Sequence, residues 1–180
     1  MQSFDRIVTT QLHTYVSTTH FLTDIAIFFA GYSQYLLGFI AAALIVYKIQ
    51  WLRVVVLALI ASLIARYVVK ELILLYISRA RPFVEYSNIY PLINSRSSQN
   101  YESFPSGHAL FFFAFATVVY SYHKKWGVFF FVVVTLMGIA RIAVGVHYLT
   151  DIIAGAFLGI LTTVGVLFFS RKQKMMKRSV

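Results

Sequence analysis

The sequence predicts an all-α fold, an integral membrane bundle of about five transmembrane helices with an interfacial helix at its N-terminus. Of 180 residues, 59% are hydrophobic and only 12% are charged. A soluble domain of this length could not bury so much apolar surface. The apolar residues are grouped in stretches long enough to cross a bilayer. We expect one membrane-embedded domain over residues 1–180.

The first twenty residues lack the basic start and unbroken apolar core of a secretory signal. Apolar residues recur there at helical spacing, which predicts a helix in the membrane interface, although a frayed terminus fits equally well. The apolar positions are Phe4, Ile7, Val8, Leu12, Tyr15 and Val16. Cysteine is absent, which excludes a disulfide framework, a thiolate zinc site and a cysteine nucleophile.

Five apolar segments follow, and they are the predicted spans. Gly31-Tyr32-Ser33 is a possible break in the first, which is therefore one tilted helix or a bent pair of pieces. The third is short and needs Gly107 and His108 to reach the surface. The segments are 21–47, 51–77, 109–122, 126–146 and 152–169.

The distribution of cations predicts the orientation, because basic residues are concentrated on the cytoplasmic side of membrane proteins. With five spans, Lys48, Arg53, Lys124, Lys125 and the basic tail 171–180 all lie on one side. We assign that side to the cytoplasm and expect the tail to contact anionic lipid headgroups. The net charge of +10 does not indicate nucleic-acid binding, because no basic face lies outside the spans and the tail.

The most informative segment is polar and runs over residues 78–105, leading into Phe104-Pro105-Ser106-Gly107-His108. A loop this long is usually functional or disordered. Ser106 and Gly107 lead directly into an apolar helix, and a helix N-terminus offers unpaired N–H groups to an anion such as phosphate. His108 lies at the rim of this predicted anion site, where it could protonate a leaving group.

Several cations lie near the same outer end. Arg79, Arg81 and Arg96 are in the polar segment, Arg141 is near the end of the fourth span, and Arg66 and Lys70 are inside the second. A cation within a span costs at least about 2.5–3.5 kcal/mol and therefore normally faces the bundle interior or snorkels. The structural alternative for these two cations is an interhelical pair such as Arg66 with Glu71, or a snorkelling Lys70.

A second histidine, His147, precedes Asp151 by four residues. If the last helix starts near Thr150, the carboxylate can reach one imidazole nitrogen, fix the tautomer and leave the other nitrogen free to attack. Gly145 allows the chain to turn, so that Arg141 and His147 reach the same place. Three or four cations and two histidines would then define a phosphoryl-transfer site, because that reaction depends on positioning and charge neutralisation.

At these residues the sequence resembles the type 2 phosphatidic acid phosphatases, a family of integral membrane enzymes. The motifs are Arg81-Pro82, Pro105-Ser106-Gly107-His108, and Arg141 followed by His147 and Asp151. The resemblance implies that His147 is the nucleophile, Asp151 its partner and His108 the general acid. It implies that Arg81, Arg141, Ser106 and Gly107 hold the phosphate, with no metal or cofactor.

Two positions depart from the family pattern. Ala140 replaces a serine, and Leu74 stands where the family has a lysine. Lys70 lies one helical turn earlier, about 6 Å along the axis, a distance that a lysine side chain can cover. We therefore expect Lys70 to serve the phosphate, with Arg79 as the alternative.

Within the family, the chain looks most like bacterial undecaprenyl-diphosphate phosphatases of the bacitracin-resistance type, with the active site facing outward from the cytoplasmic membrane. Phosphatidylglycerophosphate, phosphatidate and lipid A phosphatases fit the same orientation. Outside the family, two hypotheses remain: a metal-dependent hydrolase using His108, His147, Asp151 and Glu102, and a non-enzymatic anion transporter. His13, His20 and His123 are predicted to be interface or loop residues without function. Oligomeric state is left open.

Overall fold

The computed structural model describes residues 2–94 and 99–176, and within these ranges the chain is almost entirely helical. Two π-helical segments, Phe28–Tyr32 and Ile64–Val69, interrupt the first two spans without ending them. The α-helices are α1 (Gln2–Ser17), α2 (His20–Ile27), α3 (Ser33–Tyr47), α4 (Trp51–Leu63), α5 (Lys70–Leu74), α6 (Pro82–Glu85), α7 (Gly107–Tyr122), α8 (Lys124–Ala143) and α9 (Leu149–Met176).

Within the described residues, four continuous helices are long and apolar enough to cross a membrane, and α7 is a fifth, shorter apolar helix of 16 residues. The first is a single 28-residue helix, His20–Tyr47, so the possible break at Gly31 is a π-helical segment and not a separation into two pieces. The second is Trp51–Leu74. The predicted membrane bundle is confirmed.

Three predicted boundaries were wrong by a few residues. The second span ends at Leu74 instead of residue 77, and α8 ends at Ala143 instead of residue 146. Gly145 has a φ of +79°, a left-handed conformation that turns the chain after α8. The last helix begins at Leu149, three residues early, because Asp151 accepts a hydrogen bond from the N–H of Tyr148 at 2.9 Å and caps the first turn. It continues to Met176 and includes part of the predicted tail; residues 177–180 lie outside the described residues.

Helix α7 is at the centre of the bundle and packs against α4, α8 and α9. Gly155 and Gly159 are four residues apart on α9 and face it. A Cβ at Gly159 would lie 2.5 Å from the carbonyl oxygen of Leu110, and one at Gly155 would lie 2.8 Å from that of Ser106. These small residues let the two helices approach closely, as at other membrane helix crossings. The crossing places the first turn of α7 beside the first turn of α9.

The N-terminal helix packs through its polar side, which the apolar spacing did not predict. Asp5, Thr9 and His13 are buried, whereas Phe4 and Tyr15 are 59% and 66% exposed. The polar side is buried because its side chains have hydrogen-bond partners inside the bundle. His13 Nδ1, for example, lies 2.9 Å from the carbonyl oxygen of Ala143. Both the frayed-terminus alternative and the placement of His13 at an interface were wrong.

The two ends of the bundle differ in chemistry. At one end Trp51 stacks on His123 at 4.0 Å between ring centroids, which brings the turn before α4 next to the turn before α8. Four of the cations predicted to be cytoplasmic lie in these turns or in the helical residues next to them, namely Lys48, Arg53, Lys124 and Lys125. The other end holds a polar cavity.

Candidate active site

A cavity of about 630 Å³ opens at the end of the bundle opposite Trp51. The first two spans, the polar segment, the start of α7 and the end of α8 contribute to its wall. Its charged and polar lining residues are Gln34, Arg66, Lys70, Arg81, Asn94, Gln99, Glu102, His108, Arg141 and His147. The sequence motifs therefore meet in one place, and both predicted catalytic histidines line the same cavity.

His147 lies in the turn between α8 and α9 and is only 2% exposed. Its Nδ1 atom lies 3.5 Å from Asp151 Oδ2, within ion-pair distance but without a direct hydrogen bond. Burial lowers the pKa of His147 to about 4; Asp151 opposes this change, and Arg141 and Arg81 add to it. The ring is therefore neutral at pH 7 and keeps the lone pair that a nucleophile needs.

The Asp151 carboxylate is held by three donors. Arg79 Nη1 donates to Oδ1 at 2.7 Å, and Ser103 Oγ and the N–H of Tyr148 donate to Oδ2 at 2.6 and 2.9 Å. A buried carboxylate with this many donors stays ionised and fixed in direction. It faces Nδ1 of His147, so Nε2 is the nitrogen left for chemistry.

Arg79 acts on Asp151 and does not line the cavity. Its second nitrogen, Nη2, lies 2.7 Å from the buried carboxylate of Asp5. Burial alone would lower the pKa of Arg79, but Asp151 and Asp5 raise it above its usual value. This placement contradicts the alternative in which Arg79 substitutes for the family lysine at the phosphate.

His108 projects from the first turn of α7, where its Nε2 atom lies 3.2 Å from Gln34 Oε1. Gln34 donates through Nε2 to the carbonyl oxygen of Gly31 at 3.0 Å, which turns its amide oxygen toward the imidazole. The π-helical segment thus orients Gln34, and Gln34 orients His108.

Four cations of the described residues line the cavity, in different surroundings, while Arg96 lies outside the described residues. Arg141 Nη1 donates to the carbonyl oxygen of Ala30 at 2.9 Å, while its buried Nε has no partner among the described residues. Arg81 Nε donates to the carbonyl oxygen of Gln99 at 2.9 Å. A buried donor without an acceptor at a cavity wall is a place where an anion fits.

The other two cations, Lys70 and Arg66, lie in the second span, and their contacts differ from the structural alternative given above. Lys70 is buried and its Nζ lies 3.1 Å from Glu102 Oε2, so it does not snorkel. Arg66 has no ion-pair partner among the described carboxylates, and the expected pair with Glu71 is not formed. Its guanidinium lies against Gly107, where a Cβ would be 3.1 Å from Nη1.

Ser106 is the one predicted phosphate ligand that does not line the cavity. It is fully buried, its hydroxyl accepts a long hydrogen bond of 3.5 Å from the N–H of Ala109, and it caps α7. Its own N–H donates to the carbonyl oxygen of Asp151 at 3.1 Å. Ser106 does not line the cavity, whereas Gly107 does. A phosphate contact from either residue stays a prediction.

Asp5, Ser103 and Gln34 were missed from the sequence. For Asp5 a signal existed, because Asp5, Thr9 and His13 form a polar stripe at four-residue spacing on an otherwise apolar helix. Gln34 is a polar residue within a span, which is itself a functional signal in membranes. Ser103 had none.

The residues that a metal-dependent hydrolase would use, His108, His147, Asp151 and Glu102, are not arranged as metal ligands. In the parts of the chain that the structure describes, no group of three or more His, Asp or Glu side chains could hold an ion. Glu102 is paired with Lys70 and Asp151 with Arg79. The cations occupy the carboxylates that a metal would need.

The comparison with known families agrees with this geometry. Residues 55–175 match the PAP2 superfamily. This chain belongs to that superfamily. It is 34% identical over 147 residues to a Bacillus licheniformis protein named bacitracin transport permease protein BcrC, covering 78% of this chain and 69% of the relative. It is also 32% identical over 114 residues to phosphatidylglycerophosphatase B of Bacillus subtilis (strain 168), covering 57% of this chain and 52% of that protein.

Two solved structures share the fold. Aquifex aeolicus LpxE has a TM-score of 0.66 at 23% identity, with 92% of this chain and 93% of that chain covered. The PAP2-type phosphatidylglycerolphosphate phosphatase from Bacillus subtilis has a TM-score of 0.63 at 27% identity, with 95% and 86% covered. The chain is thus a multi-pass membrane protein of a lipid phosphatase family.

Proposed function

We propose that this PAP2 protein hydrolyses a lipid diphosphate, undecaprenyl diphosphate, to the lipid monophosphate and inorganic phosphate through a phosphohistidine. One observation carries the proposal: two imidazoles and four cations line a single cavity, with a neutral His147 backed by a fixed carboxylate. Such a site provides the positioning and the charge neutralisation that phosphoryl transfer requires.

In the first step, His147 Nε2 attacks the terminal phosphorus and the bond from phosphorus to the bridging oxygen breaks. Protonated His108 gives its proton to that leaving oxygen, and Asp151 stabilises the positive ring of phosphohistidine 147. In the second step, a water attacks the same phosphorus and passes a proton to His108. The P–N bond breaks, and inorganic phosphate leaves with both histidines restored.

The charge of the cavity supports a diphosphate over a monophosphate. Among the lining residues that the structure describes, a set without Arg96, the four cations Arg66, Lys70, Arg81 and Arg141 are opposed only by Glu102, which leaves an excess of three positive charges. A phosphate monoester carries about −1.5 to −2 at neutral pH, and a second phosphoryl group adds further negative charge. Among the described residues, Lys70 pairs with Glu102, and Arg81 and Arg141 donate to backbone carbonyl oxygens, whereas Arg66 has no hydrogen-bond partner. We therefore assign Arg66 to the second phosphoryl group.

We predict that Arg66→Gln lowers kcat/KM for prenyl diphosphate about ten- to hundredfold, the value of a lost charged hydrogen bond. For phosphatidate the loss should be much smaller, because that substrate has no second phosphoryl group. Purified protein would be assayed for phosphate release from both lipids and from phosphatidylglycerophosphate. Arg53→Gln, which removes an exposed cation at the other end of the same span, is the matched control. Equal losses on both lipids in Arg66→Gln would contradict the assignment.

Phosphatidylglycerophosphate is the second candidate substrate, favoured by the relative named phosphatidylglycerophosphatase B. Wild-type preference for that lipid over prenyl diphosphate in the same assay would replace the leading proposal. The name of the Bacillus licheniformis relative refers to transport. Phosphate flux across liposomes without any hydrolysis would favour a transporter.

We further propose that the cavity faces outward from the bacterial cytoplasmic membrane, because the opposite end carries Lys48, Arg53, Lys124 and Lys125. The cysteine-free chain makes this testable. Tyr101→Cys, at a side chain 62% exposed near the cavity, should react with a membrane-impermeant maleimide in intact cells. Lys125→Cys should react only after permeabilisation. The reverse pattern would contradict the orientation.

A further inference from the structure

We propose that Asp5, on the N-terminal helix, is a positioning residue for the phosphoryl-transfer site, acting through Arg79 and the start of α9 on the Asp151–His147 pair. The inference rests on the roles proposed above for His147 and Asp151. Asp5 is far from these residues in sequence and is absent from the cavity wall.

Asp5 is a buried carboxylate with several hydrogen-bond partners, unlike a charge at the protein surface. It is 1% exposed, and its Oδ2 lies 2.7 Å from Arg79 Nη2. Oδ1 accepts the backbone N–H of Thr150 at 3.1 Å, and Oδ2 accepts the Thr150 hydroxyl at 2.5 Å. Arg79 Nη1 reaches the same hydroxyl at 2.8 Å as well as Asp151. Asp5, Arg79, Thr150 and Asp151 therefore form one closed network.

Part of this network replaces a missing helix cap. The first N–H groups of any helix lack partners within the helix. At the start of α9 the preceding residue is Tyr148, whose hydroxyl is directed to Glu85 at 2.5 Å and cannot cap. Asp151 takes the N–H of Tyr148, and Asp5 takes that of Thr150 from a different helix. Asp5 thereby fixes the backbone that carries Asp151.

The other part concerns charge. Arg79 lies between two carboxylates, so the trio of Asp5, Arg79 and Asp151 carries a net charge of −1. This negative charge faces the ring of His147, which becomes positive when it is phosphorylated. Without Asp5, the pair of Arg79 and Asp151 is neutral. The guanidinium of Arg79 is then free to bind Asp151 through both of its terminal nitrogens, which would draw the carboxylate away from Nδ1 of His147. Loss of the Asp5 charge should therefore slow the chemical step more than it weakens substrate binding.

The test uses full-length protein and steady-state hydrolysis of prenyl diphosphate. Asp5→Asn keeps the size and an acceptor oxygen but removes the charge. We expect kcat to fall about ten- to hundredfold, the size of the loss when hydrogen-bond partners of metal-ligating residues are removed. KM should stay within about twofold of the wild-type value, and Tm should change little. Asp24→Asn, at an exposed carboxylate on α2, should leave all three unchanged.

A double-mutant cycle separates positioning from general structural support. If Asp5 acts through Arg79, Asp5→Asn should cost little further kcat in an Arg79→Met background. Additive losses, or unchanged kcat in folded Asp5→Asn, would overturn the inference. Should Asp5→Asn not fold, Arg79→Lys decides, because lysine cannot bridge two carboxylates with a planar fork; full kcat in Arg79→Lys overturns the inference. Absence of hydrolysis by wild type would instead reject the proposed function.

Discussion

Replacing His147 with glutamine should abolish phosphate release from lipid substrates, lowering kcat at least about a thousandfold. Glutamine is neutral and of similar length, so the buried turn between α8 and α9 should be retained. It cannot form the phosphorus–nitrogen bond, however, and the remaining cations would bind the substrate without a nucleophile. We therefore expect substrate binding and Tm to be preserved while turnover is lost.

The intermediate provides a direct measurement. Rapid quenching of the wild type with substrate labelled in the terminal phosphoryl group should give labelled protein, stable in alkali and lost in acid, and His147→Gln should give none. His20→Gln, at an exposed histidine on α2, is the control and should retain both activity and label. Labelled protein or wild-type turnover in folded His147→Gln would disprove the assigned nucleophile.

The second large effect is expected from a single methyl group at the crossing of α7 and α9. In Gly159→Ala the added Cβ would lie 2.5 Å from the carbonyl oxygen of Leu110, a distance that no side-chain rotation can relieve. The helices must separate, at a cost of about 1–3 kcal/mol for an overpacked site. This should lower Tm in detergent by several degrees. Because the crossing also joins the first turns of the two helices, turnover should fall as well.

Gly165 on the same helix is the matched control, since a Cβ there would meet nothing within 4 Å. Gly165→Ala should leave activity unchanged and should leave Tm equal or slightly higher, because alanine favours a helix over glycine by about 1 kcal/mol. Equal Tm values for the two variants would show that the close contact at Gly159 does not limit stability.

The sequence predicted the part of the site that depends on short motifs. His108 and His147 share a cavity because the alternation of spans brings the start of α7 and the end of α8 to one end of the bundle. The turn at Gly145 was predictable for the same local reason, since glycine readily adopts a positive φ. Such features depend on residues near one another in the chain.

What the sequence did not predict depends on contacts between distant segments. The partners of Arg79 are Asp5 and Asp151, separated from it by 74 and 72 residues. The same pairing explains why the apolar side of α1 faces outward. The Asp5 carboxylate reaches Arg79 only when the polar stripe of α1 faces the bundle. The π-helical segment Ile64–Val69 holds Arg66, which lines the cavity, and no propensity rule distinguishes such a segment from a regular helix.

The bond between Asp5 and Thr150 also bears on biosynthesis. Residue 150 is synthesised after residue 5 and after all the spans between them, so the Asp5 carboxylate lacks its Thr150 partner while those spans enter the bilayer. The site is complete only when α9 is in place and its first turn donates hydrogen bonds to that carboxylate. A chain that stops before α9 would carry the arginines and His147 but not Asp151, and we expect it to be inactive.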